Sequence, residues 1–228
     1  MSKRLREPLS QLQQKIGYSF SDISLLETAM THRSARMKNN ERSEFLGDSI
    51  LGFIIADHLF HQFPGADEGQ LSRLRASLVK KETLASIGKS LSIGNYLKLG
   101  QGELRSGGHT RDSILADAVE AVIAAIYLDA GYQKARDFIF ELFKEKLEEV
   151  TLEKGRKDPK TRLQEYLQSH SIELPVYEIV ESSGPQHRQQ FKVSCAIKQE
   201  KLVTIGSGSS RRKAEQDAAS RMLEHYEQ

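Results

Sequence analysis

The stretch Glu41-Arg-Ser-Glu-Phe-Leu-Gly-Asp-Ser-Ile50 carries three carboxylates, those of Glu41, Glu44 and Asp48, at positions i, i+3 and i+7. On a helix these positions share one face. The same line continues into Leu51, which predicts that the acids lie on the side that faces the core. Buried like charges are costly unless a cation compensates them, and lysine and arginine are sparse here. A divalent metal such as magnesium, which selects carboxylate oxygens, is the simplest compensation.

A second apolar segment carries acids in the same way. Residues 114–128 are apolar except for Asp117 and Glu120, which lie at i and i+3 on one helical face. The segment is too short and too acidic to span a membrane. Two apolar helices that each carry inward carboxylates indicate one shared acidic site. The alternative is that these acids cap helices or pair with distant arginines. To replace the shared acidic site, this alternative would have to apply to the acids of both segments.

These two segments resemble the ribonuclease III family. Residues 41–50 match the family pattern E-R-L-E-F-L-G-D-S, and the second segment matches its D-x-x-E. Ser43 departs from the pattern, since the family usually has an apolar residue there, and this bears on local packing or on a dimer contact. The resemblance implies cleavage of double-stranded RNA with magnesium, for which manganese is a plausible substitute, and no small-molecule cofactor.

The resemblance also implies roles for six acids. Those expected to surround the metal are Glu44, Asp48, Asp117 and Glu120. Three of them would be ligands, and Asp48 would hold or orient the attacking water. Glu41 and Glu68 are candidates for an outer role, near a second metal that stabilises the leaving 3′-oxygen. The expected products are 5′-phosphates with short 3′ overhangs.

Composition and charge narrow the class of protein. The chain has 228 residues, no apolar run long enough for a bilayer, and no apolar stretch after its basic N-terminus, so we expect neither a membrane protein nor a secretory signal. Its single cysteine, Cys195, excludes an internal disulfide and alternates with Val193 and Ile197 as a core residue on a strand would. The formal net charge is only +2, so RNA binding must come from local clusters of cations.

The sequence divides into two modules and a short connection. Residues 1–150 predict an all-α domain, and residues 151–157 are polar and contain glycine, as a linker would. Residues 158–228 predict a small α+β domain in the order α-β-β-β-α. Its expected elements are a helix over 159–169, strands over 176–182, 190–198 and 201–206, and a helix over 210–226.

Three details of the helices are specific predictions. Ser21 is the expected N-cap of a helix over 22–32. One helix is expected to open near Glu68 and to include Ile87. Asp158 is the expected N-cap of the first helix of the second module, with Pro159 at its first position.

The order of elements in the second module resembles a double-stranded RNA-binding domain. Gln164 and Gln168 lie one turn apart on a polar face, and amide side chains suit 2′-hydroxyls and base edges in a wide, shallow minor groove. His187, in the predicted hairpin loop, is a candidate for the next minor groove. Taken singly, each of the three also fits an ordinary surface residue, and only their combination is specific.

A basic run is expected at the start of the last helix. Arg211, Arg212 and Lys213 oppose the helix dipole there, and a phosphate between them would relieve the conflict. The alternative is a solvated basic turn. Glu215 stands where the family often has a further lysine, which weakens one possible phosphate contact.

The resemblance implies a homodimer, because each chain has one acidic cluster and a duplex has two strands to cut. Phe45 is the residue expected in that interface. The two modules resemble the bacterial, cytoplasmic form of the family, with expected roles in the processing of ribosomal, messenger and transfer RNA. Two other classes remain open: a protein of this fold that binds RNA without cutting, and a metal-dependent phosphohydrolase that acts on small molecules.

Overall fold

The computed structural model describes residues 8–155, 157–185 and 188–226. The chain divides into two compact units, Met1–Gly155 and Arg156–Gln228. The first unit is helical and the second has the order α-β-β-β-α with a three-stranded antiparallel sheet, so the predicted fold class is confirmed. No helix among the described residues is both long and apolar enough to cross a membrane.

The first unit is built on two long helices that pack against each other. Its helices are α1 (Leu9–Ile16), α2 (Ile23–Ala29), α3 (Glu41–Gln62), α4 (Glu68–Val79), α5 (Lys81–Ser90), α6 (Gln101–Arg105) and α7 (Asp112–Glu148). Helix α7 is interrupted at Gly131, whose φ of 79° is open to glycine at little cost. The later turns of α3 and the first half of α7 supply nearly half of the buried core side chains of the first unit, which explains why both segments are so apolar.

Helices α3 and α7 come closest at Gly47. A Cβ atom on Gly47 would lie 1.8 Å from the carbonyl oxygen of Glu120, which no side chain tolerates. This glycine therefore lets the first acidic segment lie directly against the second. The same contact fixes the position of Glu120 relative to the start of α3.

Two of the helix predictions were wrong. The N-cap of α2 is Asp22 and not Ser21, because the Asp22 carboxylate accepts a hydrogen bond from the backbone N–H of Ser24. The helix expected from Glu68 through Ile87 is two helices, because the backbone at Lys80 is extended with ψ of 153°.

The residues after α7 continue to pack on the first unit. Leu152–Gly155 is a 3-10 helix, and the Nε of Arg73 on α4 donates to the carbonyl oxygen of Gly155 at 2.7 Å. Gly155, which lies inside the proposed linker, is thus held by a side chain of α4. The proposed linker boundary at 151 remains a prediction.

The second unit places two helices on one face of a sheet. Its elements are α8 (Pro159–Ser169), β1 (Val176–Ser183), β2 (Gln190–Ile197), β3 (Leu202–Gly208) and α9 (Arg211–Tyr226), and the strand order is β1-β2-β3. Asp158 caps α8 by accepting from the backbone N–H groups of Lys160 and Thr161, as predicted. Cys195 is fully buried between the sheet and the helices, so its expected place in the core is also confirmed.

We predict that Gly47→Ala destabilises the protein and that Gly52→Ala does not. The added methyl group at 47 forces α3 away from α7, and overpacking of this kind costs roughly 1–3 kcal/mol. At Gly52, on the same helix, a Cβ meets no atom within 4 Å, and alanine gains about 1 kcal/mol of helix propensity. Urea unfolding of the two variants measures the difference. Equal stability would show that the helices can separate at Gly47 without cost.

Candidate metal centre and nucleic-acid interface

Three carboxylates converge where α3 crosses α7. Glu44 comes from the first turn of α3, and Asp117 and Glu120 come from successive turns of α7. One carboxylate oxygen from each lies within 4.8 Å of the others, and all three side chains are partly buried. The structure thus brings together the three residues expected to be metal ligands. An all-oxygen donor set of three acids has the chemistry that hard divalent cations select.

The remaining acids of the first segment are more exposed than expected. Glu41 and Asp48 are exposed, whereas Glu44 is partly covered. The expectation that all three face the core was wrong, because in the first ten residues of α3 only Gly47 is fully buried and the continuous buried line starts at Leu51. Asp48 nevertheless stays close enough to raise the pKa of Glu120, so it borders the cluster.

The two acids expected in an outer role lie in different surroundings. Glu41 is paired with Arg33 at 3.5 Å. Glu68 is the first residue of α4, where its carboxylate accepts a hydrogen bond from the hydroxyl of Ser72 at 2.7 Å. The described acids that raise the pKa of Glu120 are Asp48, Glu44 and Asp117, and Glu68 is not among them. An outer role for Glu68 remains a prediction.

The three acids of the cluster have raised pKa values, so their protonated forms are favoured. Burial, with the charges of Asp48, Glu44 and Asp117, raises the pKa of Glu120 to about 8. Burial also raises the pKa of Glu44, with help from the charges of Asp117 and Glu41, and burial raises that of Asp117. Burial and repulsion by neighbouring acids both disfavour the ionised carboxylates. A bound cation would have the opposite effect and favour the ionised forms.

Cations beside the cluster could not be predicted from the acidic segments alone. Lys81, the first residue of α5, lowers the pKa of all three converging acids, and Arg33 lowers those of Glu44 and Asp117. A groove of about 610 Å³ opens next to Glu44 and Asp117. The cationic side chains that line it include Arg33 and Arg111. Both arginines are ion-paired with acids of the same lining, Arg33 with Glu41 at 3.5 Å and Arg111 with Glu103 at 2.7 Å, so an anionic substrate would have to share them with these carboxylates.

The predicted RNA contacts of the second unit lie at the surface of two helices. Gln164 and Gln168 are exposed on α8. The basic run is exposed in the first turn of α9 and consists of Arg211, Arg212 and Lys213. His187 falls outside the described residues. The structure places these side chains where solvent reaches them, and their contacts with RNA remain predictions.

Phe45 is an exposed aromatic side chain next to an apolar groove. It is 77% exposed although it follows the partly covered Glu44 directly on α3. The groove has a volume of about 890 Å³. Its apolar lining includes Leu25, Met37, Leu46 and Leu128. A large exposed ring beside an apolar groove is the pattern of an interface between protein surfaces.

Two family models match this chain, one on each unit. A model described as Ribonuclease-III-like matches residues 22–147, which include the six acids of the candidate metal centre. A model described as Double-stranded RNA binding motif matches residues 159–226. The matched ranges follow the two compact units, so each unit has its own family assignment.

Similar proteins and structures agree with these assignments. Ribonuclease 3 of Glaesserella parasuis is 53% identical over 215 residues, which are 94% of this chain and 96% of that protein. Ribonuclease 3 of Vibrio parahaemolyticus is 52% identical over 220 residues, or 96% of this chain and 98% of that protein. The nuclease domain of ribonuclease III from Campylobacter jejuni, in a structure concerned with flexibility in its dimer-forming region, superposes with a TM-score of 0.59 at 41% identity over 60% of this chain and 97% of that one. The chain belongs to the ribonuclease III family.

Proposed function

We propose that this chain is a magnesium-dependent endoribonuclease that cuts double-stranded RNA. The observation that carries the proposal is the convergence of Glu44, Asp117 and Glu120 within 4.8 Å, in a chain that also has a duplex-RNA module. A protein that binds without cutting would have no use for three partly buried, mutually repelling acids. A phosphohydrolase for small molecules would have no use for the second unit.

Glu44, Asp117 and Glu120 would hold the metal, and manganese would fit the same oxygen donors as magnesium. When bound, the metal supplies a Lewis acid that lowers the pKa of the attacking water and neutralises charge on the scissile phosphate. Asp48, exposed at the edge of the cluster, would hold or orient that water. No serine, cysteine or histidine nucleophile is required. The P–O3′ bond breaks, so one fragment keeps a 5′-phosphate and the other a 3′-hydroxyl on a short overhang.

The cations beside the cluster have two uses in this scheme. Lys81 and Arg33 favour the ionised form of the nearby acids, which is the form that binds a cation. Arg33 and Arg111 also line the groove next to Glu44, where they would meet the phosphates on either side of the cut. Glu41 and Glu68 would have the outer role, near a second metal that stabilises the leaving oxygen.

The second unit would deliver the duplex to this site. Gln164 and Gln168 would contact 2′-hydroxyls in a minor groove, and His187 would contact the next one. Phosphates across the intervening major groove would meet Arg211, Arg212 and Lys213. Because these contacts read shape and backbone, the unit would bind duplexes of many sequences.

The active enzyme would be a homodimer. The ring of Phe45 would enter the apolar groove beside Phe45 of a second copy, which is the reciprocal contact of a two-fold interface. Two acidic clusters would then face the two strands of one duplex. The similarity to bacterial ribonucleases 3 supports a role in the cytoplasm, in the processing of ribosomal and transfer RNA precursors and the processing or decay of messenger RNA.

Glu120→Gln should abolish cleavage and leave duplex binding nearly intact. The change removes one charge from the cluster without opening a cavity, and loss of one preorganised charged group costs on the order of 10²–10³-fold in rate. Cleavage of a plain RNA duplex in magnesium and gel-shift affinity in calcium test the two halves of this expectation. Glu141→Gln, an exposed glutamate on the same helix, is the matched control. Substantial cutting by Glu120→Gln would remove this residue from the metal site.

Without metal, the protein should become less stable as pH rises toward 8. Folding raises the pKa of Glu120 from 4.5 to about 8, so the native state keeps a proton that the unfolded state releases. The free energy of unfolding therefore falls as pH rises between these values. In EDTA the melting temperature should fall less steeply for Glu120→Gln than for the wild type. Parallel curves for the two proteins would contradict the raised pKa.

Phe45→Ala should weaken the dimer. Truncation of an aromatic anchor at the centre of an interface costs at least about 2 kcal/mol, which is roughly a 30-fold rise in the dimer dissociation constant. Sedimentation of the full chain across a range of concentrations measures it. Phe60→Ala, which truncates a ring 65% exposed on the same helix, is the control. An unchanged dimer in Phe45→Ala would place the interface elsewhere.

A further inference from the structure

Glu215 joins two cations from different helices of the second unit. Its carboxylate accepts a hydrogen bond from the Nζ of Lys160 on α8 at 2.7 Å and from the Nε of Arg211 on α9 at 2.8 Å. The Glu215 side chain is only 12% exposed, whereas that of Arg211 is 60% exposed. The acid is therefore largely shielded from solvent, whereas the guanidinium that it binds stays accessible.

Both cations belong to the surface that would bind RNA. Arg211 opens the basic run of α9, and Lys160 lies one turn before Gln164 on α8. A groove of about 620 Å³ is lined by Lys160, Gln164, Arg212 and Glu215, among others. The ammonium of Lys160 is further held over the ring of Tyr177, 4.3 Å from its centroid. The carboxylate thus lies within the candidate RNA interface and not at its margin.

The carboxylate keeps its charge although it is covered. Burial by itself raises the pKa of Glu215, but the hydrogen bonds and charges of Lys160 and Arg211 outweigh it and hold the pKa below its ordinary value. An ionised acid beside these cations reduces the positive potential that a phosphate meets. The formal net charge of the chain is only +2, so no general excess of cations makes up for the positive potential that Glu215 removes at this surface.

We propose that Glu215 limits the affinity for duplex RNA by competing with phosphate for Lys160 and Arg211. In the free protein Arg211 uses its Nε for Glu215, and a phosphate must share that guanidinium with the carboxylate. Removing the charge of Glu215 gives both cations to the phosphate. This inference rests on the proposed function, since it concerns how strongly the RNA-binding unit holds its substrate.

Glu215→Gln tests the proposal, because glutamine keeps the size of the side chain and removes its charge, while its single oxygen can still accept from only one of the two cations. In the full chain with calcium, the variant should bind a plain RNA duplex roughly fivefold more tightly, the effect of one unit charge about 4 Å away in water. The slope of log affinity against log salt should steepen by roughly 0.7–0.9, as for one added phosphate contact. Glu224→Gln, an exposed glutamate near the end of the same helix, carries the same charge change and should bind like the wild type.

A double-mutant cycle with Arg211→Ala separates competition from a supporting role. If Glu215 competes with phosphate, Arg211→Ala costs more affinity in the Glu215→Gln background than in the wild type. If Glu215 instead holds Arg211 in place for the phosphate, Glu215→Gln weakens binding and Arg211→Ala costs less in that background, which overturns the proposal. Circular dichroism checks that the variants are folded. If Glu215→Gln is not folded, Glu215→Met takes its place in the cycle.

The wild-type titration keeps this test apart from that of the proposed function. A wild-type chain that fails to bind duplex RNA contradicts the proposed function itself. A wild-type chain that binds, beside a Glu215→Gln variant whose affinity is unchanged or lower, contradicts only the role of Glu215.

Discussion

The close approach of α3 and α7 at Gly47 is the constraint on which the candidate active site depends. A backbone separation that leaves no room for a Cβ places the carbonyl of Glu120 against the first turns of α3. Glu44 then projects toward Asp117 and Glu120 from the neighbouring helix. The apolar faces that surround this contact provide the stabilisation, since α3 and α7 together supply more than half of the buried core side chains of the first unit. Packing energy therefore holds together carboxylates that repel one another.

The same arrangement explains why a cation would be favoured at this cluster. Partial burial raises the pKa of all three converging acids, and repulsion by neighbouring carboxylates adds to the rise for Glu44 and Glu120. Lys81 and Arg33 offset part of this cost, but both lie outside the three-acid cluster. A divalent ion would relieve the repulsion at its source, so stability and metal affinity would be linked through the same carboxylates.

Much of this fold and site could be predicted from the sequence because its signals were local. Acids at helical spacing inside apolar runs indicated Glu44, Asp117 and Glu120, and alternation placed Cys195 in a sheet core. Two failures were local, at the N-cap Asp22 and at the helix break at Lys80, whereas what was missed within the site depended on neighbours distant in the chain. The exposure of Asp48 follows from how α7 covers α3, and the position of Lys81 follows from how α5 packs on α7. Spacing within one helix carries no information about either.

The two units use opposite charges in the same physical way. In the first, a cluster of acids is incompletely compensated by Lys81 and Arg33, which leaves room for an added cation. In the second, a cluster of cations is incompletely compensated by Glu215, which would leave room for phosphate. Incomplete compensation would allow each site to stay folded without a ligand and still to bind one. A fully paired cluster would gain little from a ligand, and an unpaired one would destabilise the fold that presents it.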